Sequence, residues 1–297
     1  MKKVGISRRS FLKLTGAALA GSAVAGVTTP ARAAEQGIPG IDQKAMLNDV
    51  SKCIGCLSCA IACKEVNQLP DTYKYDPATG GDAFTTVKFM ERNEKAAPGL
   101  INLKVQCMHC TEASCVEVCP TGAAYKRTDG IVLIDRETCV GCKYCVLACP
   151  FNVPGLSEET GTVRKCTFCE PRLREGKVTA CAEACPARAI EYGDYDRLLQ
   201  MAHARVDYLK ANGYPNAMLY GQKELSGLKV IYVLPDTSGE SGLPVNPMPA
   251  TGSSLAKWAA GLVTVGLLVA SPLRSVFKDD NGPGVSSNIR SGVNKDG

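Results

Sequence analysis

Hydrophobic residues in this chain are arranged in three ways, and each arrangement predicts a different kind of element. Near the start, Leu14 to Thr29 is a mildly apolar stretch rich in Gly and Ala. Near the end, Trp258 to Leu273 is an uncharged, mostly apolar run of sixteen residues. Between them, Leu198, Ala202, Val206 and Leu209 recur at helical spacing, which predicts an amphipathic helix over 196–212 with Gly213 as its stop. Lys229 to Leu234 (KVIYVL) is a compact run of strand type. A Thr128-Asp129-Gly130 turn followed by Ile131 to Asp135 predicts a short hairpin, and Ala187 to Tyr192 echoes its first half.

The flanks decide what the two terminal runs mean. Ser7-Arg8-Arg9-Ser10-Phe11-Leu12-Lys13 precedes the first run and Ala31-Arg32-Ala33 follows it, the pattern of a twin-arginine export signal over 1–33 with a small-x-small cleavage site. The second run gives about 24 Å of helix against a bilayer core of about 30 Å. Leu255 and Ala256 extend it, Lys257 can snorkel, Trp258 sits at interfacial depth, and Arg274 and Lys278 form a basic flank. A single transmembrane anchor over 255–273 is expected, then a polar tail over 274–297; a buried core helix is the competing reading. The formal charge of +5 falls to −1 once the six basic residues of the signal are removed. With two histidines and 6% aromatics, the mature chain lacks the signature of a nucleic-acid surface.

All sixteen cysteines lie between Cys53 and Cys185, in four quartets. These are Cys53, Cys56, Cys59 and Cys63; Cys107, Cys110, Cys115 and Cys119; Cys139, Cys142, Cys145 and Cys149; and Cys166, Cys169, Cys181 and Cys185. The third reads C-x2-C-x2-C-x3-C-P, the bacterial ferredoxin run for [4Fe–4S] clusters. The first shares its spacing with Lys64 in place of proline, and the second and fourth widen one gap. Disulfides are a poor reading, because three thiols within seven residues cannot staple separate strands. Zinc ribbons fit the fourth quartet alone, and haem attachment requires C-x-x-C-H, which is absent from the sequence. An exported chain this rich in cysteine invites a disulfide reading. A twin-arginine route removes that objection, because it resembles a path for proteins that acquire cofactors before crossing the membrane.

The quartet order, the phrases Gln106-Cys-Met-His-Cys110 and Lys165-Cys-Thr-Phe-Cys169, and the helix–strand–anchor tail resemble the iron–sulfur beta subunit of respiratory formate dehydrogenases. They are also similar to the electron-transfer subunit of periplasmic uptake hydrogenases, over about residues 45–275. The segment Arg205 to Tyr220 and the phrase Ser254-Leu-Ala-Lys-Trp258 look more like the formate dehydrogenase type, whereas a signal on this chain is common in the hydrogenase type. The resemblance implies an α+β fold of two nested bacterial-ferredoxin-like modules, one inserted in the other, plus a C-terminal transmembrane helix. It implies a four-cluster domain over 45–193 with its inner module near 102–152, and a helix–strand extension and linker over 194–253.

In that scheme the fourth cysteine of a quartet reaches another cluster. The four [4Fe–4S] sets implied are Cys53, Cys56, Cys59 with Cys185; Cys166, Cys169, Cys181 with Cys63; Cys107, Cys110, Cys115 with Cys149; and Cys139, Cys142, Cys145 with Cys119. Pairing of neighbouring quartets, first with second and third with fourth, remains the alternative. Ile54, Leu57, Ile61, Val116, Val118, Val146 and Leu147 are expected to keep water off the clusters. His109 is expected to support the site rather than ligate, and Tyr125, Tyr144, Phe151 and Phe168 to be core. No nucleophile–base constellation, dinucleotide glycine loop or spare metal ligand set stands out, so the expected role is a non-catalytic electron relay. Its partners would be a periplasmic catalytic subunit of molybdopterin or NiFe type and a membrane cytochrome b or quinone-reactive subunit. An enzyme with its own open iron and a soluble polyferredoxin are the competing classes.

Overall fold

The computed structural model describes residues 37–40, 42–70, 79–92 and 99–250, together with 262, 264 and 266. The export signal expected over 1–33 lies outside the described residues. So does the anchor expected over 255–273, apart from positions 262, 264 and 266, which are helical. Among the described residues no helix is long and apolar enough to cross a membrane. The chain divides into two units, 1–250 and 251–297, and the first holds all sixteen cysteines.

A four-stranded sheet forms the backbone of this unit. It orders β8 (Ile190–Asp194), β1 (Lys44–Asp49), β10 (Val230–Leu234) and β9 (Met218–Tyr220) side by side. β1 runs parallel to β10, with Met46 opposite Val230 and Asp49 opposite Val233, and antiparallel to β8. Every residue of β10 is buried, as an uninterrupted apolar run requires of a strand covered on both faces.

The two faces do different work. Alternation along a strand sends Ala45, Leu47, Ile231 and Val233 to one side, where they meet Leu198, Ala202, Val206 and Leu209 of α6 (Tyr195–Ala211). These four helix residues are the ones the sequence pattern predicts, and the helix falls within one residue of its expected bounds. Burying a leucine of this stripe contributes roughly 1.5–3 kcal/mol. The opposite side sends Met46, Val230, Tyr232 and Leu234 into a core shared with Cys59, Cys63, Cys107, Cys166 and Cys181. The sheet is thus a wall with a helix behind it and thiols in front.

Short helices lie among the cysteines, which they carry or flank. These are α1 (Ser58–Asn67), α2 (Ser114–Glu117), α3 (Tyr144–Ala148), α4 (Glu170–Arg174) and α5 (Ala180–Glu183). Three hairpins complete the unit: β2 (Thr85–Arg92) with β3 (Gly99–Gln106), β4 (Ala124–Lys126) with β5 (Val132–Ile134), and β6 (Gly155–Leu156) with β7 (Val163–Arg164). The expected turn hairpin is β4–β5, with Tyr125 opposite Leu133. The sequence pattern does not predict the β2–β3 hairpin, yet β3 supplies the buried face that closes the thiol core. Segment 194–253 is expected as an extension of the cluster domain. Within it, β10 occupies the middle of the sheet, and the Lys229 N–H donates to the Met108 carbonyl at 3.1 Å, beside Cys107.

Candidate functional site

All sixteen cysteines are free thiols. Their placement follows from four C-x-x-C loops that share one backbone device. The residue before the second cysteine is left-handed in each: Gly55 (φ 70°), His109 (48°), Gly141 (69°) and Phe168 (58°). At two of these residues the N–H itself faces the sulfur of the first cysteine. The His109 N–H lies 3.5 Å from Cys107 Sγ and the Phe168 N–H 3.4 Å from Cys166 Sγ. Glycine adopts such a conformation without penalty, whereas His and Phe need outside support. His109 Nδ1 accepts the Val132 N–H at 3.1 Å, and its ring meets Phe168 edge-on at 5.0 Å. That pair ties the second and fourth quartets together. Burial, then the charges of Lys165 and Lys229, push the His109 pKa well below its usual value, so the ring is neutral.

Gly141 has a second constraint. A Cβ there would stand 2.3 Å from the Gly161 carbonyl oxygen. Gly141→Ala is therefore expected to displace the Cys139–Cys142 loop and to cost about 1–2 kcal/mol from the left-handed backbone alone. The check is faster bleaching of cluster absorbance on warming, with Gly122→Ala, where a Cβ meets nothing within 4 Å, as the control that isolates the contact.

The thiols gather in four groups, and in each a distant cysteine joins three from one quartet. Cys53, Cys56, Cys59 and Cys185 line a recess of about 450 Å³ that is partly open to solvent. Cys107, Cys110, Cys115 and Cys149 line one of about 390 Å³, and Cys119, Cys139, Cys142 and Cys145 one of about 300 Å³. Cys63 lies within electrostatic reach of Cys166, Cys181 and Cys169. Among the described residues no three His, Cys, Asp or Glu side chains converge on a single point as ligands of one ion. The thiols instead surround a space, as ligands of a polynuclear cluster must.

Their electrostatics fit the same occupant. Burial pushes Cys59 and Cys145 up to about 11 and Cys166 up to about 12; neighbouring thiolates add to it. Cys63 and Cys110 are raised further for the same two reasons. Such thiols ionise only beside a compensating cation, and iron supplies it. More N–H groups aim at sulfur: Ala124 at Cys119 (3.3 Å), Val163 at Cys139 (3.4 Å) and Ala189 at Cys185 (3.3 Å). Donors of this kind stabilise charge on cluster ligands. The donor set, the space and the charge all suit [4Fe–4S] clusters.

Adjacent groups lie within electrostatic reach of one another in a definite order. Cys59 senses Cys181, Cys166 senses Cys107, and Cys115 senses Cys145. Two lysines fill the gaps. Lys104 lines the recess of Cys53 and Lys165 that of Cys107, and both are buried. Burial opposes their charge, yet thiolates hold both pKa values above the usual lysine level, chiefly Cys181 for Lys104 and Cys107 for Lys165. Neither lysine stands out in the sequence as functional; the alternation Ile101, Leu103, Val105 around Lys104 is the signal that could have placed it in a strand.

The apolar residues between the ligands depart from expectation. Ile54, Ile61 and Leu147 are exposed, Leu147 at 84%, and Leu57, Val116, Val118 and Val146 are not fully buried either. Ile54 and Leu57 do line the recess of the Cys53 group, but with so much of their surface open to solvent these residues shield the thiols less than expected. Tyr144 is likewise 57% exposed rather than core, whereas Phe151 and Phe168 are buried and Tyr125 is half-buried. Both terminal groups also reach the surface, at Cys56 and Cys142.

Residues 100–195 match the 4Fe-4S dicluster domain family. The formate dehydrogenase, nitrate-inducible, iron-sulfur subunit of Escherichia coli (strain K12) is 37% identical over 226 residues, covering 72% of this chain and 77% of that one. The formate dehydrogenase iron-sulfur subunit of Haemophilus influenzae is 36% identical over 238 residues, 76% of this chain and 75% of its own. The thiosulfate reductase electron transfer subunit of Salmonella typhi is 40% identical over 160 residues, 52% of this chain and 78% of its own. Identity sustained across so much of both sequences, with a ferredoxin-like fold and iron-ready thiols, places the chain in the iron–sulfur electron-transfer subunits of formate dehydrogenases and related reductases.

Proposed function

We propose that this chain carries four [4Fe–4S] clusters and relays electrons between a periplasmic formate dehydrogenase catalytic subunit and a membrane cytochrome b or quinone-reactive subunit. The observation that carries the proposal is the grouping of the thiols around separate recesses, with successive groups in electrostatic reach in a linear order from the Cys53 group through the Cys63 and Cys107 groups to the Cys119 group. The ligand sets are Cys53, Cys56, Cys59, Cys185; Cys63, Cys166, Cys169, Cys181; Cys107, Cys110, Cys115, Cys149; and Cys119, Cys139, Cys142, Cys145. The clusters supply one-electron oxidation and reduction when bound. The chain fixes their spacing, buries the Cys63 group and leaves both ends accessible at Cys56 and Cys142. Ile54 and Leu147, exposed beside those ends, are suitable contacts for the two partners. Its role is conduction, with catalysis assigned to the partner.

Export by the twin-arginine signal over 1–33 and anchoring by the helix over 255–273 belong to the same proposal. They put the cluster domain on the periplasmic side of the inner membrane. Similarity to a thiosulfate reductase subunit favours a reductase catalytic partner as the second reading; a NiFe hydrogenase partner rests on the signal and on the cysteine pattern shared with that type. Iron quantitation with low-temperature EPR of anaerobic protein tests the central claim. About sixteen iron atoms per chain are expected from four cubanes, and fewer than about twelve would overturn it. Formate-dependent reduction of the clusters in the purified complex decides between the partners, and N-terminal sequencing of the membrane-bound form decides the export route.

A further inference from the structure

We propose that the ammonium groups of Lys104 and Lys165 are internal counter-charges, each shared by two neighbouring ligand sets, and that they raise the reduction potentials of the clusters they separate. The inference rests on the four-cluster reading above. Its footing is the geometry of two charges in the interior with no ordinary explanation.

Lys104 sits on β3 at 3% exposure and Lys165 precedes Cys166 at 3%. Among the described residues neither has a carboxylate within ion-pair distance, although Arg127, the other fully buried cation, has two. The Lys104 Nζ meets the Gln106 Oε1 and lies 3.9 Å from the Met46 Sδ. The Lys165 Nζ meets the Val132 carbonyl and, at 3.2 Å, the Cys166 carbonyl. Neutral acceptors of this kind do not offset the cost of taking a charge out of water. Sulfur surrounds both sites instead. Lys104 lines the recess of Cys53, Cys56, Cys59 and Cys185, and Met46, its neighbour, places Sδ 4.0 Å from Cys181 Sγ in the next set. Lys165 lines the recess of Cys107, Cys110, Cys115 and Cys149 while its backbone leads directly into Cys166. Each lysine is therefore wedged between two of the anionic sets that follow one another along the relay.

The sign follows from Coulomb attraction. A cluster gains one negative charge on reduction, so a fixed cation beside it stabilises the reduced form more than the oxidised form. The potential rises. An isolated ammonium beside two clusters also reduces the repulsion between them when both are reduced, which is the condition under which a relay must pass electrons one after another.

The test is an EPR-monitored redox titration of the intact complex carrying Lys104→Met or Lys165→Met. Lys104→Met is expected to lower the potentials of the Cys53 and Cys63 sets, each by at least tenfold in the reduction equilibrium, about 59 mV for a one-electron couple. Lys165→Met is expected to lower those of the Cys63 and Cys107 sets. The Cys63 set responds to both and the Cys119 set to neither. Potentials unchanged at wild-type iron content overturn the role of the lysines and leave the four-cluster reading standing. A wild-type protein with fewer than four clusters overturns that reading first. If a Met variant fails to hold iron, Lys104→Arg and Lys165→Arg decide. Iron and potentials retained with the charge support the proposal, and equal loss in the Arg variants assigns the lysines to packing and overturns it.

Discussion

Cys63→Ala is expected to extinguish one cluster signal in the middle of the relay and to divide the remaining three into two groups that no longer exchange electrons. Cys63 is buried on α1, and Asn67 holds it from the next turn, its Nδ2 donating to the Cys63 carbonyl at 2.8 Å and lying 3.6 Å from its Sγ. Alanine cannot ligate iron, so iron falls by about one to four atoms per chain, according to whether three thiolates retain a depleted cluster. In the intact complex, clusters on the side of the catalytic subunit are expected to reduce with substrate while those beyond the gap stay oxidised. That outcome is far larger than a shift in potential, because it removes a carrier rather than tuning one.

The same variant decides how the quartets pair. If Cys63 shares a set with Cys166, Cys169 and Cys181, then Cys63→Ala and Cys181→Ala extinguish the same EPR signal. If neighbouring quartets pair instead, Cys63→Ala matches Cys107→Ala. The electrostatic neighbours of Cys63 belong to the fourth quartet, and the Met46 thioether, which contacts Cys181 from one side, occupies the same core as Cys63. Matching signals from Cys63 and Cys107 variants would therefore overturn the ligand sets and the relay order together.

Cysteine spacing was legible because, in the proposed ligand sets, ligation is local for three thiols of every four. The fourth comes from another quartet, as Cys185 does for the recess of Cys53, Cys56 and Cys59. No spacing rule supplies such a contact; the expectation of it came from the family resemblance. Helix α6 was legible from its period and β10 from its unbroken apolar run. The parallel pairing of β1 with β10 was not, since it joins Met46 to Val230 with no local signal between them. Hairpin β2–β3 was hidden because Lys104 and Gln106 look like solvent-facing positions, and both are buried against Met46. Gly55 and Gly141 hint at left-handed loops; His109 and Phe168, which adopt the same conformation, do not, and the contact between their rings together with the Val132 N–H bond to His109 explains how they are held. Exposure of Ile54 and Leu147 is also unreadable locally, because an apolar residue between two ligands reads the same whether it faces the core or a partner.

Arg127→Ala is expected to have the largest effect on stability of any substitution outside the cysteines. Its guanidinium is fully buried, 3.0 Å from Asp129 Oδ2 and 2.6 Å from Glu170 Oε1. Asp129 is itself 2% exposed, and it also accepts the N–H groups of Ile38 at 2.9 Å and Ile131 at 3.1 Å. The Arg127–Asp129 pair thus joins the β4–β5 turn, the start of α4 beside Cys169, and the segment that leads into β1. Removing the arginine leaves the Asp129 carboxylate buried without its counter-ion, which costs about 3–5 kcal/mol. For a domain of this size that corresponds to a fall in Tm on the order of 10 °C. Glu170→Gln is expected to cost much less, because Glu170 is partly exposed and Arg174 also reaches it. The double replacement Arg127→Ala with Asp129→Asn separates the causes. If the stranded carboxylate dominates, the double variant is more stable than Arg127→Ala alone; if lost packing dominates, the two melt together. Thermal bleaching of cluster absorbance, followed anaerobically at one fixed scan rate because unfolding releases iron irreversibly, reads all three variants on one scale.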